Sequence, residues 1–248
     1  MKRPHLPLLA ALAVICALPG RVHAQEAASS LAFNIGVFSD YRYRGISQTR
    51  LKPAVQGGVD YAGPGGFYLG AWASSIKWIK DFGGDAGFEV DLYGGFKGEI
   101  QKDLGYDVGV LTYQYPGNKL NPSANTTEIY GALSFGPATA KLSYALTDTF
   151  GNFDSKGSYY LDLSATFDVA GVSVVPRVGY QKIAGPFSGP GSYTDYSVTL
   201  SKDFSGLVPS IALVGTDADK GFYVPGAAAN SSKFLGKSAL VLGLKYNF

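Results

Sequence analysis

From Leu31 onward, apolar and polar residues alternate with period two rather than 3.6. The blocks are about ten residues long, which is the length a tilted strand needs to cross a bilayer. In GFEVDLYGGFKG, Phe88, Val90, Leu92 and Phe96 share one face and Glu89, Asp91, Tyr93 and Lys97 the other. In SYYLDLSATF, Tyr159, Leu161, Leu163, Ala165 and Phe167 oppose Ser158, Tyr160, Asp162, Ser164 and Thr166. The same rhythm recurs near 31–43, 53–62, 66–78, 104–115, 125–135, 138–147, 171–182, 193–202, 206–216 and 234–248, which predicts twelve strands in all. Pro176 falls within one of them, where it deletes a ladder hydrogen bond and predicts a bulge or a strand boundary.

The connectors alternate in length. Tight ones lie at 63–65, 99–103, 136–137, 168–171 and 203–206, and longer Gly-, Pro-, Asn- and Asp-rich ones near 44–52, 79–86, 116–124, 148–157, 183–192 and 217–233. An even strand number with short turns at one end and long loops at the other predicts an all-β fold: a closed antiparallel transmembrane β-barrel of about 12 strands, with short periplasmic turns and longer extracellular loops. Closure is required because hydrocarbon offers no partner to a free backbone N–H or C=O. Alternation alone does not separate this from a soluble sandwich whose apolar faces meet inside. The two ends of the chain separate them.

At the N-terminus, Lys2 and Arg3 precede an apolar run from Leu6 to Leu18 and a small-residue exit at Val22-His23-Ala24. This reads as a secretory signal over 1–24, with the barrel occupying 25–248. At the C-terminus, SALVLGLKYNF places Leu240, Leu242, Leu244, Tyr246 and Phe248 on one face. A last strand that is apolar at alternate positions and ends in Phe resembles the signal read by the outer-membrane insertion machinery, here Leu244, Tyr246 and Phe248.

Composition fits the strands, with 33 Gly, 17 Tyr and 15 Phe. Loss of 1–24 would remove Cys16, both histidines (His5, His23) and three cations, leaving 18 Lys plus Arg against 19 Asp plus Glu, a net charge of −1. That excludes a Ser-His-Asp triad, a thiol nucleophile and an imidazole metal site, and it gives no basic excess for nucleic acid. No catalytic, cofactor or metal residue is assigned. A paired-carboxylate hydrolase is not excluded by residue type, and Glu89 with Asp91 would be its candidates. Asp217-Ala218-Asp219-Lys220-Gly221 begins like a calcium loop but lacks the later bidentate Glu. Asn125 and Asn230 open glycosylation-type triplets, which mean little if the host is bacterial.

The parity that turns Leu31, Phe33, Ile35 and Val37 outward carries on into SDYRYRG, positions 39–45. It sends Tyr41 and Tyr43 to an outer aromatic girdle and Asp40, Arg42 and Arg44 into the mouth of the barrel. Trp72 and Trp78 fit the interfacial belts or pack on neighbours. Across all strands the lumen receives Asp40, Asp60, Glu89, Asp91, Asp107, Glu128, Asp162 and Asp195 with Arg42, Arg44, Lys97, Lys141, Arg177, Lys237 and Lys245. Such a mixed lining argues against strong selection by charge sign. It serves equally to satisfy a crowded interior. Inward Gly36, Gly58, Gly95, Gly109 and Gly179 would widen the lumen or relieve curvature.

SDYRYRGISQT followed by KPAVQGGVDYAGPGGFYLGAW resembles the opening of the TorF-type porins, also called the Gcw_chp family, proteobacterial outer-membrane proteins without an assigned substrate. The similarity is densest over 33–75, with weaker matches at YDVGVLTYQYPG, at Glu128-Ile129-Tyr130 and in the last strand. It implies a barrel and a transport role, and carries over no catalytic or ligand residues. The expected function is diffusion of small hydrophilic solutes or ions through the outer membrane, with lipid, lipopolysaccharide and the insertion machinery as partners. The alternative is a non-conducting barrel that acts through its surface loops. Eight strands fill their interior and sixteen leave a channel. Twelve favours a narrow pore over a plugged barrel.

Overall fold

The structure, a computed structural model, describes residues 29–229 and 231–248; the expected signal segment, its cleavage point and Asn230 lie outside them. The strands are β1 (Ser30–Phe38), β2 (Arg42–Tyr43), β3 (Ile46–Ser47), β4 (Ala54–Ala62), β5 (Phe67–Ser75), β6 (Phe88–Gln101), β7 (Leu104–Gln114) and β8 (Thr126–Phe135). They continue with β9 (Ala138–Ala145), β10 (Tyr159–Ala165), β11 (Phe167–Val169), β12 (Val172–Lys182), β13 (Tyr193–Ser201), β14 (Leu207–Thr216) and β15 (Ala239–Asn247). Each stave of the main sheet pairs antiparallel with its chain neighbour, and β1 pairs with β15 to close the sheet on itself. Strands β10 and β11 form one stave, so the barrel has twelve; β2 and β3 form a separate hairpin.

Pro176 explains the break in that stave. Ser164 pairs with Arg177 and Phe167 with Val174, so the register is unchanged across the gap. The ladder lapses opposite Pro176, which has no N–H to give, and no residue is inserted. The effect is a local gap rather than a bulge, and Thr166 N–H donates instead to Pro137 O at 2.9 Å.

Outward-facing residues form the apolar band that period two predicts: Phe33, Ile35, Leu92, Leu161, Leu163 and Leu242 are all exposed to the surroundings. Aromatic rings gather at its two edges. At the turn end Phe33 lies 6.4 Å from Phe248, and Phe67 5.4 Å from Phe96. At the loop end Phe88, Tyr144, Tyr159, Tyr180 and Tyr196 face out. Tyr41 and Tyr43 are not among them. Trp72 is buried in the lumen against Tyr41, with ring centroids 5.4 Å apart, while Trp78 opens a short helix, α1 (Trp78–Asp81), and packs on Tyr115, so neither joins a belt.

Strand β1 stops at Phe38 because the chain bends at Ser39-Asp40. Ser39 ties back to β15: its N–H donates to Leu242 O at 2.8 Å and its Oγ accepts from Leu242 N–H at 2.9 Å. The Asp40 carboxylate then accepts from Arg42 Nε (2.5 Å), Ser47 Oγ (2.6 Å) and Thr49 Oγ1 (3.0 Å), folding loop 1 (39–53) around itself. Arg44 (φ 46°) and Gly45 (φ 80°) form the two-residue turn between β2 and β3. Positive φ at both central residues is what a hairpin of this length requires. Gly45 is needed twice over, since a Cβ there would also meet Asp195 Cβ at 2.8 Å.

Candidate functional site

The hairpin does not extend the wall; it enters the lumen and is fastened to it at three levels. Tyr41 donates to Glu89 on β6 at 2.6 Å. Burial first, then Glu89 and Asp91, push the Tyr41 phenol well above its ordinary range, which keeps it a donor. Tyr43 donates to Tyr113 on β7 at 2.7 Å, and its ring meets Phe150 from loop 4 (146–158) edge-on at 5.4 Å. Arg44 crosses to the far side, donating to Glu128 on β8 at 2.7 Å and to Gln181 on β12 at 2.6 Å. Its guanidinium also lies 4.3 Å from the Tyr160 ring centroid of β10. Burial alone would lower the Arg44 pKa, but Glu128 together with Tyr43 and Tyr113 outweighs it, and the group stays charged. A planar fork reaching two acceptors while stacking on an aromatic face is a job arginine does and lysine does not.

Other loops close over the hairpin. Arg42 Nη1 donates to the carbonyls of Gly45 (2.9 Å), Leu235 (3.2 Å) and Lys237 (3.0 Å). Arg50 pairs with Asp81 of loop 2 (76–87), and Lys77 N–H donates to Gln48 O at 2.9 Å. Ile79 of α1 is fully buried beneath this cover. Loops 1, 2 and 6 (217–238) are thus tied to one another across the loop-end mouth.

The sequence-derived interior residues fall into distinct settings. Asp40, Arg42 and Arg44 do point inward, but from the hairpin rather than from β1, and they pair within the plug or across it. The parity argument assigns Tyr41 and Tyr43 to the wrong side, because the bend at Ser39-Asp40 ends the strand that parity assumes. Lys237 precedes β15 and is exposed at the loop end, offering only its backbone carbonyl. Glu89 and Asp91 are sealed under loop 1, and Glu89 is held by Tyr41.

Lower on the wall, Asp60 accepts from Tyr93, Asp107 accepts from Tyr68 at 2.5 Å, and Arg177 is clamped by Asp162 and by Asp195 Oδ1, the latter at 3.1 Å. Lys141 sits 3.8 Å from the Tyr130 ring centroid and Lys97 5.5 Å from that of Tyr68. The interior glycines are covered rather than open: Tyr68, Tyr130 and Tyr160 lie across Gly95, Gly109 and Gly179, where a Cβ would collide with their hydroxyls. Ring space, and not a wider lumen, is what those glycines provide. These tyrosines are interior partners of acids and cations that sequence reasoning missed. Their signal was inward parity next to glycine on the facing strand.

Below the hairpin the side chains leave open space in the lumen. A cavity of about 390 Å³ runs from Arg42, Tyr41 and Trp72 down to Thr166, Asp168 and Lys202 at the short-turn end. A smaller one of about 160 Å³ lies beside it between Asp107, Lys141 and Asp162. Among the described residues, no group of three or more acidic, His or Cys side chains is placed to hold a metal. Asp219 Oδ1 accepts from Gly221 N–H at 2.7 Å and Phe222 N–H at 2.8 Å, an ordinary loop turn.

The KdgM porin, solved in complex with disordered oligogalacturonate, resembles the barrel at a TM-score of 0.54 and 10% identity, over 89% of this chain and 99% of its own. The NanC porin does so at 0.54 and 11% identity, over 88% and 99%. At such identities the likeness is one of fold. No curated protein matches the sequence. A closed barrel of twelve staves with an apolar exterior and porins for structural neighbours is a protein of the outer membrane. Residues 24–248 match the family described as "Bacterial protein of unknown function (Gcw_chp)", and the chain belongs to that family.

Proposed function

We propose that the chain is a porin-like channel for small hydrophilic solutes or ions, constricted from the loop side by the hairpin of loop 1. The observation that carries this reading is the 390 Å³ polar-rimmed cavity that reaches from the short-turn end up to the hairpin. The interior charges are engaged with one another, Arg44 with Glu128 and Arg177 with Asp162 and Asp195. Paired charges set a local field but little net bias, so weak ion selectivity is expected. KdgM was solved with an acidic oligosaccharide; the charge-balanced lumen here argues for a different cargo.

In the same reading residues 1–24 are an export signal and 25–248 the barrel. Lipid and lipopolysaccharide contact the apolar band and its aromatic edges, and Leu244, Tyr246 and Phe248, all facing outward, present the insertion signal. The second reading, a closed barrel acting through its loops, is favoured by the contacts that tie loops 1, 2 and 6 together across the mouth. Planar-bilayer recording of the purified protein decides between them. Discrete steps of small conductance are expected, and persistent silence across salts and voltages would leave the loop reading.

A further inference from the structure

The lumen has two unlike halves. The wall from β4 to β10 carries the acids, cations and tyrosines already described. The wall from β12 to β15 carries Arg177 and Asp195 toward the loop end and Lys245 toward the turn end, and between them its small residues stand in rows across the strands. Ser173 pairs with Ser201 and Ser201 with Ser210, so three hydroxyls lie side by side. One step toward the loops, Val175 pairs with Thr199, Thr199 with Ala212 and Ala212 with Val241. One step further, Arg177 pairs with Ser197 and Ser197 with Val214.

All these side chains line the 390 Å³ cavity, and among the described residues none of the five hydroxyls hydrogen-bonds to another protein group. Nor is any of them a sealed orphan. Each is a donor and a double acceptor open to the cavity. The cavity's upper cations are engaged: Arg42 with Asp40 and three carbonyls through Nε and Nη1, its Nη2 being buried, and Arg177 with two aspartates. Phe38 and Trp72 add aromatic surface to the same space.

We propose that this half of the lumen is a binding site for a neutral saccharide of one or two rings, entered from the short-turn end. Rows of hydroxyls separated by methyl groups match a sugar ring, which presents hydroxyls at its rim and C–H groups on its faces. The volume lies within the range of small-molecule sites, about 300–1,000 Å³. The charges lining the cavity nearly balance, Arg42, Arg177, Lys202 and Lys245 against Asp40, Asp168 and Asp203, so an ionised ligand would gain little net attraction and would give up its hydration. The inference rests on the reading of the lumen as a solute path for its biological sense, but binding is measurable without conductance.

The test is isothermal titration of the full barrel, held in a detergent without a sugar headgroup, with glucose, sucrose and glucuronate. The expected result is a dissociation constant on the order of 1 mM for a neutral sugar, as fits a small uncharged ligand, and weaker binding of glucuronate. Thr199→Val and Ser201→Ala should each weaken the neutral sugar by about tenfold, as loss of one hydrogen bond does. Ser210→Ala provides a second site should either variant misfold. No heat from either neutral sugar, glucuronate binding as tightly as glucose, or folded variants with unchanged affinity would each overturn the proposal. Sugar binding by an electrically silent barrel would remove only the channel reading. A conducting barrel that ignores neutral sugars would remove only this one.

Discussion

Arg44→Ala is expected to cost about 3–5 kcal/mol of stability, the range for breaking a buried ion pair by removing one partner. The size follows from what is left behind. Glu128 is almost wholly buried and would keep only Tyr113, whose hydroxyl donates to it at 3.3 Å. Gln181 Oε1 would lose its charged donor as well. The loss is therefore mostly the desolvation of an orphaned carboxylate, and adding Glu128→Gln should recover a large part of it, because an amide needs no countercharge. Urea unfolding of the barrel in detergent, followed by the mobility difference between folded and unfolded forms on a gel, measures both. In the channel reading, freeing the hairpin tip also raises single-channel conductance. Equal stability of wild type and Arg44→Ala would show that the tip is not docked.

Leu242→Arg is expected to cost about 2–4 kcal/mol in a lipid bilayer, since a cation at mid-height on the lipid face is costly in a depth-dependent way. Leu242 is 57% exposed and lies near the middle of β15, with Leu240 and Leu244 outward on either side. Thr199→Arg on β13, which faces the cavity, should cost much less because the new charge meets the polar interior rather than lipid. Unfolding in liposomes compares the two. A penalty of equal size at both positions would contradict the assignment of inside and outside.

The wall of this barrel was legible in the sequence because period two is a local property. Leu31 through Val37, Phe88 through Phe96 and Leu240 through Phe248 turn outward as alternation requires, and the terminal strand is recognisable from its own residues. The plug was not legible, because it depends on contacts between residues far apart in the chain, Tyr41 with Glu89 and Arg44 with Glu128 and Gln181. Alternation of Tyr41, Arg42, Tyr43 and Arg44 looked like more of β1, although it belongs to a second, smaller hairpin. The local clue was there in Arg44-Gly45, a pair suited to a two-residue turn with positive φ. Lys237 was misassigned for the mirror-image reason, as parity was extended two residues beyond where β15 begins. Pro176 announced a disturbance whose form, a gap without a register shift, was set by the neighbouring stave. The inward glycines showed their parity but not the tyrosine rings that cover them.

The central claim is that loop 1 lies folded inside the barrel, and Ser47 reports on it most directly. Ser47 is 1% exposed, and its Oγ donates to Asp40 and accepts from Leu51 N–H. In a chain with Cys16, its only cysteine, changed to Ser, a thiol-reactive reagent would be timed against Ser47→Cys and against Phe82→Cys on exposed loop 2. The docked hairpin predicts that Phe82→Cys labels rapidly while Ser47→Cys labels only after unfolding. Equal labelling rates in the folded barrel would mean that loop 1 stands in solvent and the lumen is unplugged.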